Sequence, residues 1–139
     1  MEAARHNPAA ANWKAIRGWF SRANRLDPDA AEPLMRFYET FVASGAVPTA
    51  NSVTGLLYAA ALVPQDNALR MMATKQLLRD NRMAEAKTMF APLAFSPHAD
   101  EKWRQTATQI LAAIASGDSK AAVGFIEQEA AKAARTPAR

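Results

Sequence analysis

The chain has 139 residues, no cysteine, five glycines and eight prolines, and half of its side chains are apolar. That length suits one ordinary domain with a core of its own, and the missing cysteine excludes disulfides and thiolate metal sites. A net charge of +4 and a pI near 9.8 favour acidic partners, but no basic run interleaved with aromatics marks a nucleic-acid footprint, so nucleic-acid binding is not expected.

Alanine, leucine and methionine dominate and strand-like clusters of β-branched and aromatic residues are missing, which reads as all-α. Residues 1–11 read as a disordered lead-in or linker, because Asn7 and Pro8 discourage helix. A first helix is expected from Asn12, its N-cap, to Leu26, stopped by Asp27 and Pro28. Trp13, Ile16, Phe20 and Ala23 share one face of it, with Trp19 and Leu26 on an adjoining face. Asp29 or Ala30 opens a second helix that tolerates Pro33 in its first turn. Its buried stripe is Leu34, Phe37, Tyr38, Phe41 and Val42, and Ser44 and Gly45 end it.

Thr49 or Asn51 caps a third helix carrying Val53, Leu56, Leu57, Ala60 and Ala61, which stops at Val63 and Pro64. The fourth runs from Asn67 to Asp80 and turns at Asn81, Arg82 and Met83 into the fifth, Ala84 to Phe95, which Pro92 should tighten near its end. After Pro97, Asp100 caps a sixth helix with Trp103, Ala107, Ile110, Leu111 and Ile114. Gly117 ends it, and Asp118 or Ser119 caps a seventh holding Ala122, Val123, Phe125, Ile126 and Ala130. Residues 135–139 read as a disordered tail. Seven helices with short corners therefore fill residues 12–134.

The helix-ending prolines recur: Pro28 to Pro64 is 36 positions and Pro64 to Pro97 is 33. Two helices per period in the low to middle thirties predict stacked helix pairs. The hairpin at 67–97 carries Ala86, Phe90 and Pro97 after Glu85, and on these residues the chain resembles the tetratricopeptide repeat family. Ile16, Phe20, Ala23 and Pro28 fit the same frame, as do Ser52, Leu56, Ala59 and Pro64. In the last pair, either Ala121 with Phe125 or Ala122 with Ile126 completes it. The departures are the family's Trp, Leu and Gly, replaced around Arg70, Ala73 and Thr74, and a second copy a few residues long. The run of hairpins is also similar to the carboxyl-terminal repeat segment of larger bacterial proteins with a metallopeptidase-like domain upstream.

The resemblance implies a right-handed α-solenoid of antiparallel helix pairs that acts as a protein-protein interaction module. Its concave groove would be lined by Arg36, Glu39 and Thr40, by Met71, Lys75 and Arg79, and by Arg104, Gln105 and Thr108. Four cations there favour an acidic peptide or protein partner. The Lys and Asn set with which some members clamp a terminal carboxylate is not found. If 12–26 is the second helix of a pair, its first helix is missing. The face with Trp13, Ile16, Trp19 and Phe20 then becomes a docking face for self-association, or for intramolecular packing as a structural appendage of a larger protein.

Nothing in the sequence outlines a reaction centre. His6 and His98 form no ligand pair, Asp100 and Glu101 are adjacent and point apart on a helix, and no phosphate-cradling or nucleophile motif occurs. The chain is therefore expected to be non-catalytic, without cofactor or metal. Met1 to Asn12 lacks the apolar core of a signal peptide, and no apolar run approaches the roughly 20 residues that span a bilayer. A complete chain of this kind is expected to be cytoplasmic; a fragment would carry no address.

Overall fold

The computed structural model describes residues 12–135, so the expected lead-in at 1–11 and positions 136–139 of the expected tail lie outside the described residues, while Arg135, expected in the tail, ends the last helix. The described residues are all-helical, in seven helices: α1 Trp13–Leu26, α2 Ala31–Ala43, α3 Ala50–Leu62, α4 Asn67–Arg79, α5 Met83–Ala94, α6 Glu101–Ala115 and α7 Ser119–Arg135. No described residue is in a strand. The segment that the sequence treats as one domain divides into two compact units between Leu69 and Arg70, within α4.

Five of the seven starts have a side-chain cap. Unpaired N–H groups at a helix N-terminus need an acceptor. Asn12 supplies it to Ala15, Thr49 to Ser52, Asp66 to Leu69, Asp100 to Trp103 and Asp118 to Ala121, all at 2.8–3.1 Å. Thr49 and Asp118 are thus the caps among the alternatives offered by the sequence. Pro33 lies in the first turn of α2, where its missing N–H leaves no helical bond unmade.

The helix ends are of two alternating kinds. α2, α4 and α6 finish in the same left-handed corner, with Gly45 at φ +74°, Asn81 at +58° and Gly117 at +78°. At each, two N–H groups turn back onto the helix: Ala46 to Phe41, Arg82 to Leu77 and Asp118 to Ala113 at 2.9 Å, with Gly45, Asn81 and Gly117 bonding the next carbonyl at 3.1 Å. The step from 45 to 81 and from 81 to 117 is 36 positions in both cases. α1, α3 and α5 instead end without a positive φ, at Asp27, Val63 and Phe95. A proline follows within two residues, and a tight turn begins there, Ala30 to Asp27, Asp66 to Val63 and Ala99 to Ser96.

Burial keeps the same step. Tyr38, Thr74 and Ile110 are buried, as are Phe41, Leu77 and Ala113. Ile16, Ser52, Ala86 and Ala122 are buried too, at steps of 36, 34 and 36, followed four residues later by Leu56, Phe90 and Ile126 in the last three. Of the alternatives for the last pair, Ala122 with Ile126 is therefore the one that faces inward. Val42 departs from the expected stripe of α2: it is half exposed, whereas its counterparts Leu78 and Ile114 are buried.

Within the first unit α1 packs on α2 and α2 on α3; within the second, α5 packs on α6 and α6 on α7. Phe90 is fully buried and meets Trp103 edge-on with ring centroids 6.1 Å apart. Trp103 Nε1 also donates to the carbonyl of Leu93 at 2.9 Å. That carbonyl lies in the last turn of α5, and the residue four positions on is Pro97, which has no N–H to offer.

Candidate functional site

The first unit holds an open cleft of about 290 Å³ where α1, the α1–α2 corner, α2 and α3 converge. Phe20, Leu34, Phe37 and Tyr58 supply its apolar walls, and Asn24, Asn51 and Thr54 its polar groups. Gly55 lets α3 approach α2 closely, since a Cβ there would lie 3.3 Å from Leu34 Cδ2. Tyr58 donates its phenolic proton to Asp29 Oδ1 at 2.6 Å, which ties α3 to the α1–α2 corner. That hydrogen bond, with the negative charge behind it, holds the Tyr58 pKa above the usual phenol value. Asn24 Oδ1 is buried in the lining and has no hydrogen-bond partner. A buried acceptor without a donor is costly, so the cleft offers one open polar anchor among aromatic walls.

Beside it, Arg17 crosses from α1 to the C-terminal end of α2. Its guanidinium carbon lies 4.0 Å from the centroid of the Phe41 ring. Its N–H groups donate to Thr40 Oγ1 at 3.1 Å, the Thr40 carbonyl at 3.4 Å and Ser44 Oγ at 2.8 Å. A cation at the negative end of a helix, stacked on an aromatic ring, is well placed without a carboxylate.

The expected groove residues fall in both units. In the first, Arg36 lies between Glu39 at 3.0 Å and Glu32 at 3.6 Å on its own helix, and Thr40 is buried under Arg17. In the second, Lys75 and Arg79 both turn to Glu127 of α7, at 3.9 and 3.0 Å. Met71 is half-buried near them in sequence. Arg104 pairs with Glu101 at 3.8 Å, Gln105 is exposed, and the exposed Thr108 donates to the Arg104 carbonyl. Each of the four cations expected in the groove therefore has a carboxylate of this chain within ion-pair distance.

The four residues of the expected docking face part company. Ile16 is buried, Phe20 lines the cleft, Trp13 is half-buried and Trp19 is exposed at 54%. Leu26, two turns beyond Trp19, is exposed at 88%. Asn24, Tyr58 and Arg17 were not singled out by sequence reasoning. The available signal was a polar residue in phase with an apolar stripe, since Asn24 and Arg17 fall on the Trp13, Phe20 side of α1.

Among the described residues no group of three or more His, Cys, Asp or Glu is placed to hold a metal ion, and no helix is long and apolar enough to cross a membrane. No protein-family model, curated protein or solved structure matches the chain.

Proposed function

We propose that the chain is a non-catalytic interaction module of tetratricopeptide type, a right-handed solenoid of helix pairs that holds a peptide segment or partner protein. One observation carries the reading: two kinds of helix end alternate along the chain, and the left-handed corner returns at a constant step of 36 residues. Helix pairs repeated at such a step cannot each bury their apolar faces alone, and stacks of them present an extended surface for a partner. The ion pairs around Arg36, Lys75, Arg79 and Arg104 modify the expectation. An acidic partner in that groove has to displace carboxylates already present, so shape and apolar contact weigh more there than charge.

The test is selection of binders from a displayed random-peptide library, followed by backbone amide NMR with a selected peptide. Perturbed amides should lie on the outward positions of α2, α4 and α6, and Lys75→Glu with Arg79→Glu should weaken the peptide without lowering helicity. Failure to select any peptide, or perturbation confined to the outer side of α1, counts against the groove.

A second reading is that of a structural appendage of a larger protein, packing through α1. The exposed Trp19 and Leu26 favour it. It predicts concentration-dependent association of the isolated chain, relieved by Trp19→Asp; a monomer at all concentrations removes its basis.

A further inference from the structure

We propose that the outer flank of α1 is a docking seam for an acidic amphipathic helix. The inference deepens the second reading by naming the partner's chemistry, and it does not depend on the tetratricopeptide reading. α1 contains Lys14, Arg17, Arg22 and Arg25 and no acidic residue at all. Arg17 turns inward to Thr40 and Ser44. The other three are exposed, and among the described residues none of them has an ion-pair or hydrogen-bond partner. Every other helix that holds a cation also holds an acid or sends the cation to one or to a carbonyl.

The flank has a helix-binding pattern in which Arg22 holds one of four positions. Ala15, Trp19, Arg22 and Leu26 are spaced four, three and four residues apart, the spacing by which one helix meets another along a seam. Trp19 and Leu26 are its exposed anchors, and Ile16 next to the seam is buried in the unit behind it. Arg22 lies back over Gly18, one turn earlier, with Nη1 3.3 Å from where a Cβ on Gly18 would stand. Arg25 flanks the seam on its solvent side by helical position, and Lys14 lies farther round the solvent face. From Ala15 to Leu26 the seam is about 16 Å long, or three turns of partner helix.

Charge decides the occupant. A helix with apolar residues for Trp19 and Leu26 and carboxylates for Arg22 and Arg25 satisfies both kinds of group. A second copy pairing α1 with α1 would bring three more free cations and no acid. A lipid surface needs a broad apolar face to insert, and the large apolar side chains that α1 exposes are two, Trp19 and Leu26. Duplex nucleic acid asks for a longer basic footprint than three side chains on one helix.

The experiment titrates the full chain into a labelled monomeric helical peptide of about 21 residues, with leucine on its seam and glutamate beside it, read by fluorescence anisotropy. A matched lysine peptide, phosphatidylserine vesicles and duplex DNA serve as rivals. The glutamate peptide should bind and weaken as salt rises. Arg22→Glu with Arg25→Glu should lose it by roughly tenfold or more and gain the lysine peptide. Trp19→Ala should weaken both, with unchanged helicity and melting because all three sites are exposed. Equal binding of both peptides, retention by vesicles or DNA in place of the peptide, or binding abolished by Lys75→Glu with Arg79→Glu but kept by the α1 reversal would overturn the proposal. The last outcome would leave the groove reading standing; loss in the α1 reversal alone would leave the seam standing whatever becomes of the groove.

Discussion

Lys75 and Arg79 in the second unit and Lys14, Arg22 and Arg25 in the first are alike in chemistry and opposite in circumstance. The first pair converges on Glu127 from a helix 48 residues away in sequence from Arg79. The α1 trio faces solvent on a helix without a carboxylate. An ion pair held within the fold is already matched and adds little pull on an outside partner, whereas cations with no partner among the described residues, on a helix with an exposed tryptophan and leucine, are available to one. A basic sequence therefore says less about docking than the distribution of its carboxylates does.

The same contrast extends to packing, and the largest expected effect lies there. Phe90 is fully buried in the second unit, while Phe20 in the matching position of α1 lines an open cleft. Phe90→Ala should cost about 3–5 kcal/mol, and Phe20→Ala only about 1–2 kcal/mol because its ring is partly in contact with solvent already. Urea unfolding of the two variants measures this; equal costs would mean that the cleft is closed in solution.

Next come the left-handed corners. Gly45→Ala and Gly117→Ala should each destabilise by about 1–2 kcal/mol, since a Cβ is disfavoured at positive φ although open space surrounds both sites. Asn81→Gly should be neutral or stabilising at the same structural position. A different ranking in thermal melts would break the equivalence of the three corners.

Much of the fold was legible because it is written locally. Caps and prolines mark each helix, and their partners are three or four residues away. The constant step of 36 was harder to see, because Asn81 stands where the other two corners have glycine. Between the left-handed corner and the next helix there are four residues, 46–49, after Gly45 but only Arg82 after Asn81, which shortens the proline spacing to 33. The site was less legible. Lys75 and Arg79 read as open groove residues because nothing local announces Glu127, and Asn24 draws no notice in the sequence because its cleft is assembled from three helices. Val42 fits the periodicity of α2 as well as Phe41 does, yet only Phe41 is covered, by Arg17.

Two smaller effects sharpen the comparison. Glu127→Gln should cost at most about 1 kcal/mol, since Arg79 and Glu127 are both well exposed. If the proposed groove is the binding site, the freed Lys75 and Arg79 should then raise affinity for an acidic peptide, measurable by the same anisotropy titration. The smallest effect concerns Tyr58. Its pKa is raised by Asp29 in the folded chain, so the protonated phenol contributes stability that is fully present below the ordinary value of about 10 and is lost as pH rises through the raised one. The melting difference between the chain and Tyr58→Phe should be constant at neutral pH and vanish in strong alkali. A difference that grows with pH would contradict the hydrogen bond.

The most direct measurement is an amide-detected NMR titration of the full chain with the glutamate-bearing helical peptide. If the open cations of α1 are the docking seam, shifts concentrate on residues 14–26 and on the indole N–H of Trp19. Shifts concentrated on 71–79 and 104–108, with α1 silent, would contradict it.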